Sequence, residues 1–352
     1  MFKRIIIISL FLLGTFQVQA DTIKIGLRAH SGVPKGLAQW KPTADYLSET
    51  IPEHTFIMVP FVGLQELMDA ASRDEFDFIL TNPSSSVEMA YRFGASQILT
   101  LKNRRQGKPY TKFGAVIFTR VDREDINTIG DLKGKTFNAV SERAFGGWRV
   151  AWEEMLKQNV DPHTDFSVLN FSGGIQEDVV FSVLAGSTDA GVVRTDMLER
   201  MTTRGLINLA DIKVLNSKTT KDFPFLHSTV LYPEWPLIKA KKTSDVIAQQ
   251  VALALLTMPE NHDAANAGKY VGWTVAVDYQ SVRKLLENLN VEPFAKSKKT
   301  ILSDVIKDNW LVILLIVLGF STCAVLVNRR VKDRYTKLEA RATELRNKDD
   351  AE

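Results

Sequence analysis

The 352-residue sequence has little cysteine and little net charge. Its only cysteine, Cys323, lies inside a long apolar run, so no intrachain disulfide can form and an exported domain must be stable through its core alone. The formal net charge is +3, and residues 21–309 are close to neutral because the positive excess lies at the two ends. This excludes the basic field that nucleic-acid binding requires. Any preference for anions must come from local groups.

Common signatures of enzymes and metal sites are also missing. The sequence contains no Gly-x-Ser-x-Gly elbow, no His-Glu-x-x-His helix, no glycine-rich dinucleotide loop and no Gly-x-x-x-x-Gly-Lys phosphate loop. The acidic pair Glu153–Glu154 falls on a predicted helix, where we expect it to face solvent. We therefore expect no catalytic residues, no metal site and no cofactor.

The N-terminus has the pattern of an export signal. Lys3 and Arg4 precede an apolar run that ends near Phe16, and Val18-Gln19-Ala20 supplies small residues before Asp21. This pattern predicts a signal peptide over residues 1–20, cleaved after Ala20. An uncleaved N-terminal anchor is the alternative.

A second apolar run, residues 310–328, is long enough to cross a bilayer. Asn328-Arg329-Arg330-Val331-Lys332 follows it directly, and basic residues on that flank predict a cytoplasmic C-terminus. The expected protein is therefore a single-pass protein of the cytoplasmic membrane, with residues 21–309 in the periplasm if the cell is bacterial.

The cytoplasmic stub, residues 329–352, carries a short heptad pattern. Apolar residues separated by steps of four and three are typical of a coiled-coil seam. We interpret it as a dimerising helix, so that the chain is a homodimer; an isolated solvated helix is the alternative. The seam residues are Val331, Tyr335, Leu338, Ala342 and Leu345.

Strands and helices alternate through the exported region, which predicts an α/β fold with largely parallel sheets. The alternation restarts near residue 135, as expected for a second lobe inserted into the first. We predict a first lobe over residues 21–120, a second over 121–222 and a return to the first over 223–300. The apolar run Phe225–Tyr232 is predicted to be a strand in the return crossing.

Three segments share a strand–polar loop–helix pattern: 81–86, 141–149 and 172–175. In parallel sheets ligands bind at the carboxyl ends of the strands, where the N–H groups at helix N-termini favour anions. Each segment alone is also an ordinary helix cap. We predict that together they form one small-ligand site.

Three arginines, Arg28, Arg143 and Arg194, follow predicted strands, and a guanidinium donates two parallel hydrogen bonds to an oxyanion. Structural salt bridges are the alternative role for each. Trp148 is expected in the lobe core. The candidate ligand-binding residues are Arg28, Thr81, Asn82, Ser84, Ser85, Ser141, Arg143, Gly146, Gly147, Ser172, Gly173, Arg194 and Thr195.

Several motifs carry a family resemblance over residues 21–295. They are Asp77–Pro83, Phe145–Trp148, Gly186–Glu199, His227–Pro236 and Gly272–Trp273 with Asp278–Tyr279. The exported region resembles the periplasmic phosphonate-binding-protein-like domains, and within them it is most similar to the sensor domains of tetrathionate-sensor-type membrane histidine kinases. The resemblance implies a two-lobed, type II-like binding-protein fold with two crossover strands that closes on a small ligand.

The resemblance implies one of two functions. In the first, the protein senses a small oxyanion by lobe closure and signals across the membrane. The sequence leaves no room for a kinase domain after Glu352, so a separate histidine kinase is the expected partner. In the second, it is the tethered substrate-binding component of a phosphonate- or phosphate-type ABC transporter, with a permease as partner. A membrane span followed by a heptad favours the first.

Overall fold

The computed structural model describes residues 21–295, 306–307 and 309–349. The predicted signal peptide, residues 1–20, lies outside the described residues. Of the described residues, those up to Phe294 and those from Ala295 onward form separate compact units.

The binding region alternates strands and short helices, as the sequence predicts. Its first part contains β1 (Asp21–Arg28), α1 (Val33–Thr50), β2 (His54–Phe61), α2 (Leu64–Ser72), β3 (Phe78–Leu80), α3 (Pro83–Phe93), β4 (Ser96–Arg105), β5 (Lys108–Tyr110), β6 (Lys112–Phe113) and β7 (Ala115–Arg120). Its second part contains β8 (Thr136–Ala139), a π-helical turn (Phe145–Arg149), α4 (Val150–Lys157), β9 (Val168–Phe171), α5 (Gln176–Leu184), β10 (Ala190–Arg194), α6 (Met197–Thr203), β11 (Ile212–Leu215), β12 (Tyr232–Pro233), β13 (Pro236–Lys239), α7 (Asp245–Leu256), α8 (Asp263–Gly268), β14 (Tyr270–Val275) and α9 (Gln280–Asn288). Short 3₁₀ turns occur at Gly130–Leu132 and Leu209–Asp211.

Two sheets define two lobes. The first sheet has the order β14-β4-β13-β3-β1-β2, with β5 added beside β4. The second has the order β11-β7-β10-β8-β9. The chain passes from the first sheet to the second between Tyr110 and Ala115 and returns between Leu215 and Pro236. In these crossings β6 and β12 pair with each other as an antiparallel two-stranded ribbon. The lobe boundaries at residues 120 and 222 stay predictions, and β7, which ends at Arg120, pairs within the second sheet.

The expectation of largely parallel sheets is wrong for more than half of the strand pairs among the described residues. Strand β1 runs parallel to β2 and β3, and β8 runs parallel to β9 and β10. The remaining pairs, including those of β13, β14, β7 and β11 with their neighbours, are antiparallel. Because β7 and β13 enter their sheets through a crossing rather than a βα unit, they run in the opposite direction.

The expected strand Phe225–Tyr232 is also mostly irregular, since only Tyr232 and Pro233 pair as a strand. Side chains take over the pairing that a strand would make. The hydroxyl oxygen of Ser228 accepts from the N–H of Ile117 at 2.8 Å, and that of Thr229 accepts from the N–H of Ala115 at 3.1 Å. An apolar run therefore crosses between the lobes without joining either sheet.

Each lobe has its own buried aromatic cluster. In the first lobe Trp40 stacks on Tyr270 at 5.7 Å between ring centroids. In the second, Trp148 is buried as predicted and stacks on Trp152 at 5.8 Å. Helix α9 packs against the second-lobe core through Val282, Leu285 and Leu286, and this core also includes Val87 of α3. The end of the binding region is thus packed against residues of both lobes.

The C-terminal unit contains one long helix, α10 (Trp310–Asp349). Within its segment Trp310–Arg341, an 18-residue window has a mean hydropathy of 2.7, and by length and composition the helix could cross a membrane. The side chains of Val331, Tyr335 and Leu338 are exposed on the single chain.

Candidate functional site

A cavity of about 530 Å³ lies between the two lobes. Its wall includes Arg28 at the end of β1, Asn82 at the start of α3, Phe113 in the crossing, and Arg194 at the end of β10. Arg28, Asn82 and Arg194 lie at or just after strand ends because β1, β3 and β10 carry their carboxyl ends towards the space between the sheets. This is the position that the α/β pattern predicts for a ligand.

The three predicted loop–helix segments contribute to this one wall. Asn82 caps α3, and its side-chain oxygen accepts from the N–H of Ser85 at 3.0 Å. Ser141–Gly147 leads into the π-helical turn and α4, and Gly174 and Gln176 begin α5. The sequence therefore located these segments at a common cavity, while their binding of an anion stays a prediction.

Gly146 and Gly147 let the backbone of the π-helical turn line the cavity directly. A Cβ atom at Gly147 would lie 2.4 Å from Cγ2 of Val140, and one at Gly146 would lie 2.6 Å from a ring carbon of Phe113. Both separations are too short for real contacts, so no side chain fits between this turn and its neighbours. The first N–H groups of a helix have no acceptor within it, and here they belong to a turn on the cavity wall.

The predicted site residues divide into two groups. On the cavity wall lie Arg28, Asn82, Ser141, Arg143, Gly146, Gly147 and Arg194. The wall does not include Thr81, Ser84, Ser85, Ser172, Gly173 and Thr195.

The second group has other contacts. Ser84 donates its hydroxyl to Asn82 at 2.8 Å, and Ser172 donates to the carbonyl of Ile175 at 2.7 Å. The Thr195 hydroxyl oxygen accepts from the N–H of Gly114 at 3.2 Å, which holds a crossing strand. The Thr81 hydroxyl is buried and has no hydrogen-bond partner among the described residues.

Arg194 forms ion pairs with two buried carboxylates. Its Nη2 lies 2.6 Å from Oε1 of Glu234, its Nε lies 3.3 Å from Oδ1 of Asp196, and its guanidinium stacks over Phe113 at 4.2 Å. Burial acts to lower the pKa of Arg194, but the two carboxylates outweigh it and the pKa is raised. Glu234 lies in the return crossing and Asp196 also pairs with Arg105 of the first lobe. Arg194 therefore ties the second lobe to the crossing.

Arg143 reaches from the second lobe to the first. Its Nη2 donates to the carboxylate of Glu88 in α3, and its Nη1 donates to Oε1 of Gln65 in α2 at 3.3 Å. The Glu88 side chain is only 4% exposed, whereas that of Arg143 is 30% exposed. The alternative of a structural salt bridge thus describes the contacts of both Arg143 and Arg194.

Arg28 differs from the other two arginines. It donates to the backbone carbonyls of Phe61 and Val62, and no carboxylate oxygen of the described residues lies within 4.0 Å of it. Burial lowers the pKa of Arg28, and the more distant charge of Glu66 acts against this. Of the three arginines on the wall, Arg28 is the one whose charge the described residues leave without direct compensation.

His30 faces the same cavity and adds a second nitrogen group beside Arg28. Desolvation by the surrounding protein, followed by the positive charges of Arg28 and Arg194, lowers the pKa of His30 to about 4, although the residue is exposed where it lines the cavity. The imidazole is therefore neutral at neutral pH. Its ring lies 5.9 Å from that of Trp235 in the return crossing.

Sequence reasoning missed the apolar part of the wall. Phe113, Phe145, Phe171 and Trp235 line the cavity together with Leu64 and Val140. Two of them could have been suggested, Trp235 by its place in the Tyr-Pro-Glu-Trp-Pro run and Phe145 by its place in the predicted segment 141–149. The others follow ordinary strand or helix patterns. Gln176 was also missed; its Oε1 accepts from the N–H of Arg194 at 2.9 Å.

Two α/β lobes, two crossings and one cavity between the lobes define a two-lobed periplasmic solute-binding protein. The chain belongs to the family described as the periplasmic substrate-binding protein of phosphonate ABC transporters, which it matches over residues 32–300. The recognised resemblance and the fold class are confirmed.

One curated relative is the tetrathionate sensor histidine kinase TtrS of Salmonella typhimurium, 31% identical over 275 residues. The match covers 78% of this chain and 45% of the relative, so the chain spans about half the length of the curated relative it matches. The homologous domains are solute-binding and sensor domains, not enzymes.

Solved structures of the same fold include a binding-protein component of a phosphonate ABC transporter from Pseudomonas aeruginosa. Its TM-score is 0.60 at 15% identity, covering 86% of this chain and 99% of that one. PhnD1 from Prochlorococcus marinus, in complex with methylphosphonate, has a TM-score of 0.59 at 14% identity, covering 77% and 99% of the two chains. At these identities the likeness establishes the fold alone.

Proposed function

We propose that this chain is a membrane-anchored periplasmic sensor that binds a small oxyanion between its lobes and signals to a separate histidine kinase. The observation that carries the proposal is the cavity wall, where Arg28 has no carboxylate partner among the described residues and three helix starts converge. A desolvated cation beside helix N-termini favours an anionic ligand.

The charges around the cavity also indicate what the ligand lacks. Glu142 is the single acidic residue on the described wall, and it is exposed. The buried carboxylates nearby, Glu88 and Glu234, are already paired with Arg143 and Arg194. On the wall that the described residues form, no buried carboxylate is left to bind an ammonium group, so the proposed ligand is an anion without one. The named relatives, a tetrathionate sensor and a methylphosphonate complex, suggest an oxyanion of sulfur or phosphorus.

The choice of a sensor over a transporter component rests on α10. A span directly after a binding domain, followed by the seam Val331–Leu345, is suited to passing a change in packing to the cytoplasm. We infer cleavage after Ala20, a single crossing of the cytoplasmic membrane, and a dimer through the seam. The family description favours the alternative, a tethered substrate-binding component that delivers its ligand to an ABC permease.

Ligand binding is tested by calorimetry on the full chain in nanodiscs. The panel is tetrathionate, methylphosphonate, phosphate, sulfate and 2-aminoethylphosphonate. We expect saturable binding of at least one of the first four, stronger than that of the aminoalkyl compound. Stronger binding of 2-aminoethylphosphonate would contradict the inferred anion chemistry, and no binding across the panel would contradict the oxyanion proposal.

Partner capture and crosslinking separate the two functions. Purification from detergent-solubilised membranes should recover a histidine kinase; recovery of a permease instead would support the transporter alternative. Single cysteines at Tyr335 or Leu338, in a Cys323→Ala background, should crosslink between chains, and the yield should change with a bound anion. Failure to crosslink at both positions would reject the dimer, and equal yields with and without a bound anion would reject signalling through the seam.

A further inference from the structure

Four charged side chains form a continuous series from the cavity wall to the end of the binding region. Glu88 is at its centre: one carboxylate oxygen accepts from Arg143, and the other lies 3.0 Å from Nε of Arg92. Arg92 in turn pairs through Nη2 with Glu292, four residues after α9. The series runs Arg143–Glu88–Arg92–Glu292, with cations and carboxylates in alternation.

Glu88 is the most deeply buried of the four side chains, so it depends most on a neighbouring cation. Its side chain is 4% exposed, whereas those of Arg92 and Glu292 are 38% and 60% exposed. A buried carboxylate requires a cation close by, while an exposed pair is weak and easily exchanged. If Arg143 leaves Glu88, Arg92 is the remaining cation of the described residues within 4.0 Å of it, and Glu292 is the partner that Arg92 can give up.

Glu292 sits where the binding region ends. Two backbone hydrogen bonds hold residues 291–294, the exit segment that follows α9. The N–H of Val291 donates to the carbonyl of Leu286 at 3.2 Å, and the N–H of Phe294 donates to the carbonyl of Val291 at 2.8 Å. The ring of Phe294 also contacts that of Tyr91 in α3 at 5.0 Å. Helix α3 therefore holds this segment through neighbouring residues, Tyr91 and Arg92, one apolar and one charged.

We propose that an anion in the cavity competes with Glu88 for Arg143 and thereby releases Glu292. Arg92 then turns fully to Glu88, and the segment that leads out of the binding region loosens. The inference rests on the proposed function for the anion, but the exchange of partners among the four side chains is a property of the chain itself. It supplies a route from ligand to exit segment that runs within the binding region.

The series predicts opposite effects for two substitutions that break the same contact. Arg143→Gln takes the wall cation from Glu88, as an anion would, so Arg92 moves to Glu88 and the exit segment loosens. Glu88→Gln removes the carboxylate that competes for Arg92, so Arg92 stays with Glu292 and the exit segment is held as tightly or more tightly. A simple loss of contact between the lobes would instead loosen the exit segment in both variants.

The test is hydrogen–deuterium exchange at the amides of Val291 and Phe294 in the full chain in nanodiscs, without ligand. We expect exchange about two- to fivefold faster in Arg143→Gln, the range for loss of one exposed ion pair. Exchange in Glu88→Gln should be unchanged or slower. Arg73→Gln, which breaks an exposed pair with Glu75 away from the series, is the matched control and should have no effect. Faster exchange in both Arg143→Gln and Glu88→Gln would overturn the proposal, as would no change in Arg143→Gln.

A double substitution separates the series from general loosening. Glu292→Gln should speed exchange by a similar factor, and Arg143→Gln should then add nothing further, because the contact it acts through is already gone. Additive effects would reject the series. Because these experiments use no ligand, they test the exchange of ion-pair partners even if no anion of the panel binds. Failure of every anion to bind would count against the proposed function alone.

Discussion

Arg28→Gln is the substitution that most directly tests the cavity as an anion site. Glutamine keeps a hydrogen-bond donor on a shorter side chain, gives up the bonds of the guanidinium to the carbonyls of Phe61 and Val62, and removes the positive charge. Because no carboxylate of the described residues lies within 4.0 Å of Arg28, the change strands no buried negative charge. The loss should therefore fall on ligand binding, not on folding.

The magnitude follows from the environment of the guanidinium. Burial lowers the pKa of Arg28, so the guanidinium is less well solvated than in water, and an anion bound beside it would stabilise its charge. Removing one partner of a desolvated charged pair costs roughly 2–5 kcal/mol. At about 1.4 kcal/mol per tenfold change, the affinity should fall by roughly 30-fold to several thousandfold.

Arg194→Gln is the informative comparison, since sequence analysis gave Arg194 the same role. It leaves Glu234, which is 1% exposed, without its guanidinium, and it also removes a partner of Asp196. Breaking a buried pair in this way costs roughly 3–5 kcal/mol, which lowers the melting temperature by roughly 6–20 °C in a domain of this size. Arg28→Gln should shift it by only a few degrees.

The assay is calorimetry with the tightest-binding anion of the panel, together with thermal melts of the same preparations. Arg73→Gln serves as the control for loss of an exposed arginine. Wild-type affinity in Arg28→Gln would refute the assignment of Arg28 as the main ligand cation. A large drop in its melting temperature would instead show that Arg28 acts as a structural residue.

Three further predictions concern pH, packing and autonomy. His30 has a pKa of about 4 in the folded chain, below the value of about 6.5 expected when unfolded. The unfolded chain therefore binds the proton more readily, so the contribution of His30 makes the stability of the fold rise with pH between about 4 and 6.5. Thermal melts of His30→Asn across this range should show a smaller dependence of melting temperature on pH, and an unchanged dependence would remove His30 as its source. In a denaturant titration, Gly147→Ala should lower the free energy of unfolding by roughly 1–3 kcal/mol, because the added methyl group overpacks against Val140. Gly130→Ala, whose Cβ would meet its nearest neighbour at 3.5 Å, should lower it little. A fragment from Asp21 to about residue 299, which excludes Cys323, should be monomeric by light scattering, fold without oxidant, and melt at higher temperature with a bound anion; an obligate dimer would contradict it.

The position of the candidate site at the strand ends could be predicted because it depends on local patterns. Strands followed by polar, small-residue loops and then helices give loops at strand ends, and this logic put Arg28, Asn82 and Gly146 on one wall. The same logic could not give strand direction in the pairs that involve β7 and β13. Their orientation depends on where the chain crosses between lobes, which no short pattern records.

The partners of the arginines could not be predicted because they are distant in sequence. Glu88 lies 55 residues from Arg143, and Glu234 lies 40 residues from Arg194. An arginine that binds a ligand and an arginine that pairs with a buried carboxylate can occupy the same kind of position after a strand. Only the neighbouring carboxylates separate the two roles.

The acidic pair in α4 shows the same limit, since the expectation that it faces solvent is wrong. Glu153 and Glu154 are both buried, at 6% and 7% exposure. Glu153 accepts from the hydroxyl of Tyr232 at 2.7 Å and from Asn288 at 2.9 Å, which links the return crossing to α9. Burial of adjacent acids requires partners from remote segments, and a helical pattern cannot supply them.

The division of roles among the wall arginines has a consequence for anions of different charge. A monoanion can be neutralised by Arg28 alone, which leaves Arg143 on Glu88. A dianion of the same shape gains from a second guanidinium and competes more strongly for Arg143. Methylphosphonate at alkaline pH and methanesulfonate form such a pair, one a dianion and the other a monoanion. At saturating concentrations of each, methylphosphonate should speed amide exchange at Phe294 and methanesulfonate should not; equal effects would show that the exit segment responds to occupancy of the cavity and not to removal of Arg143 from Glu88.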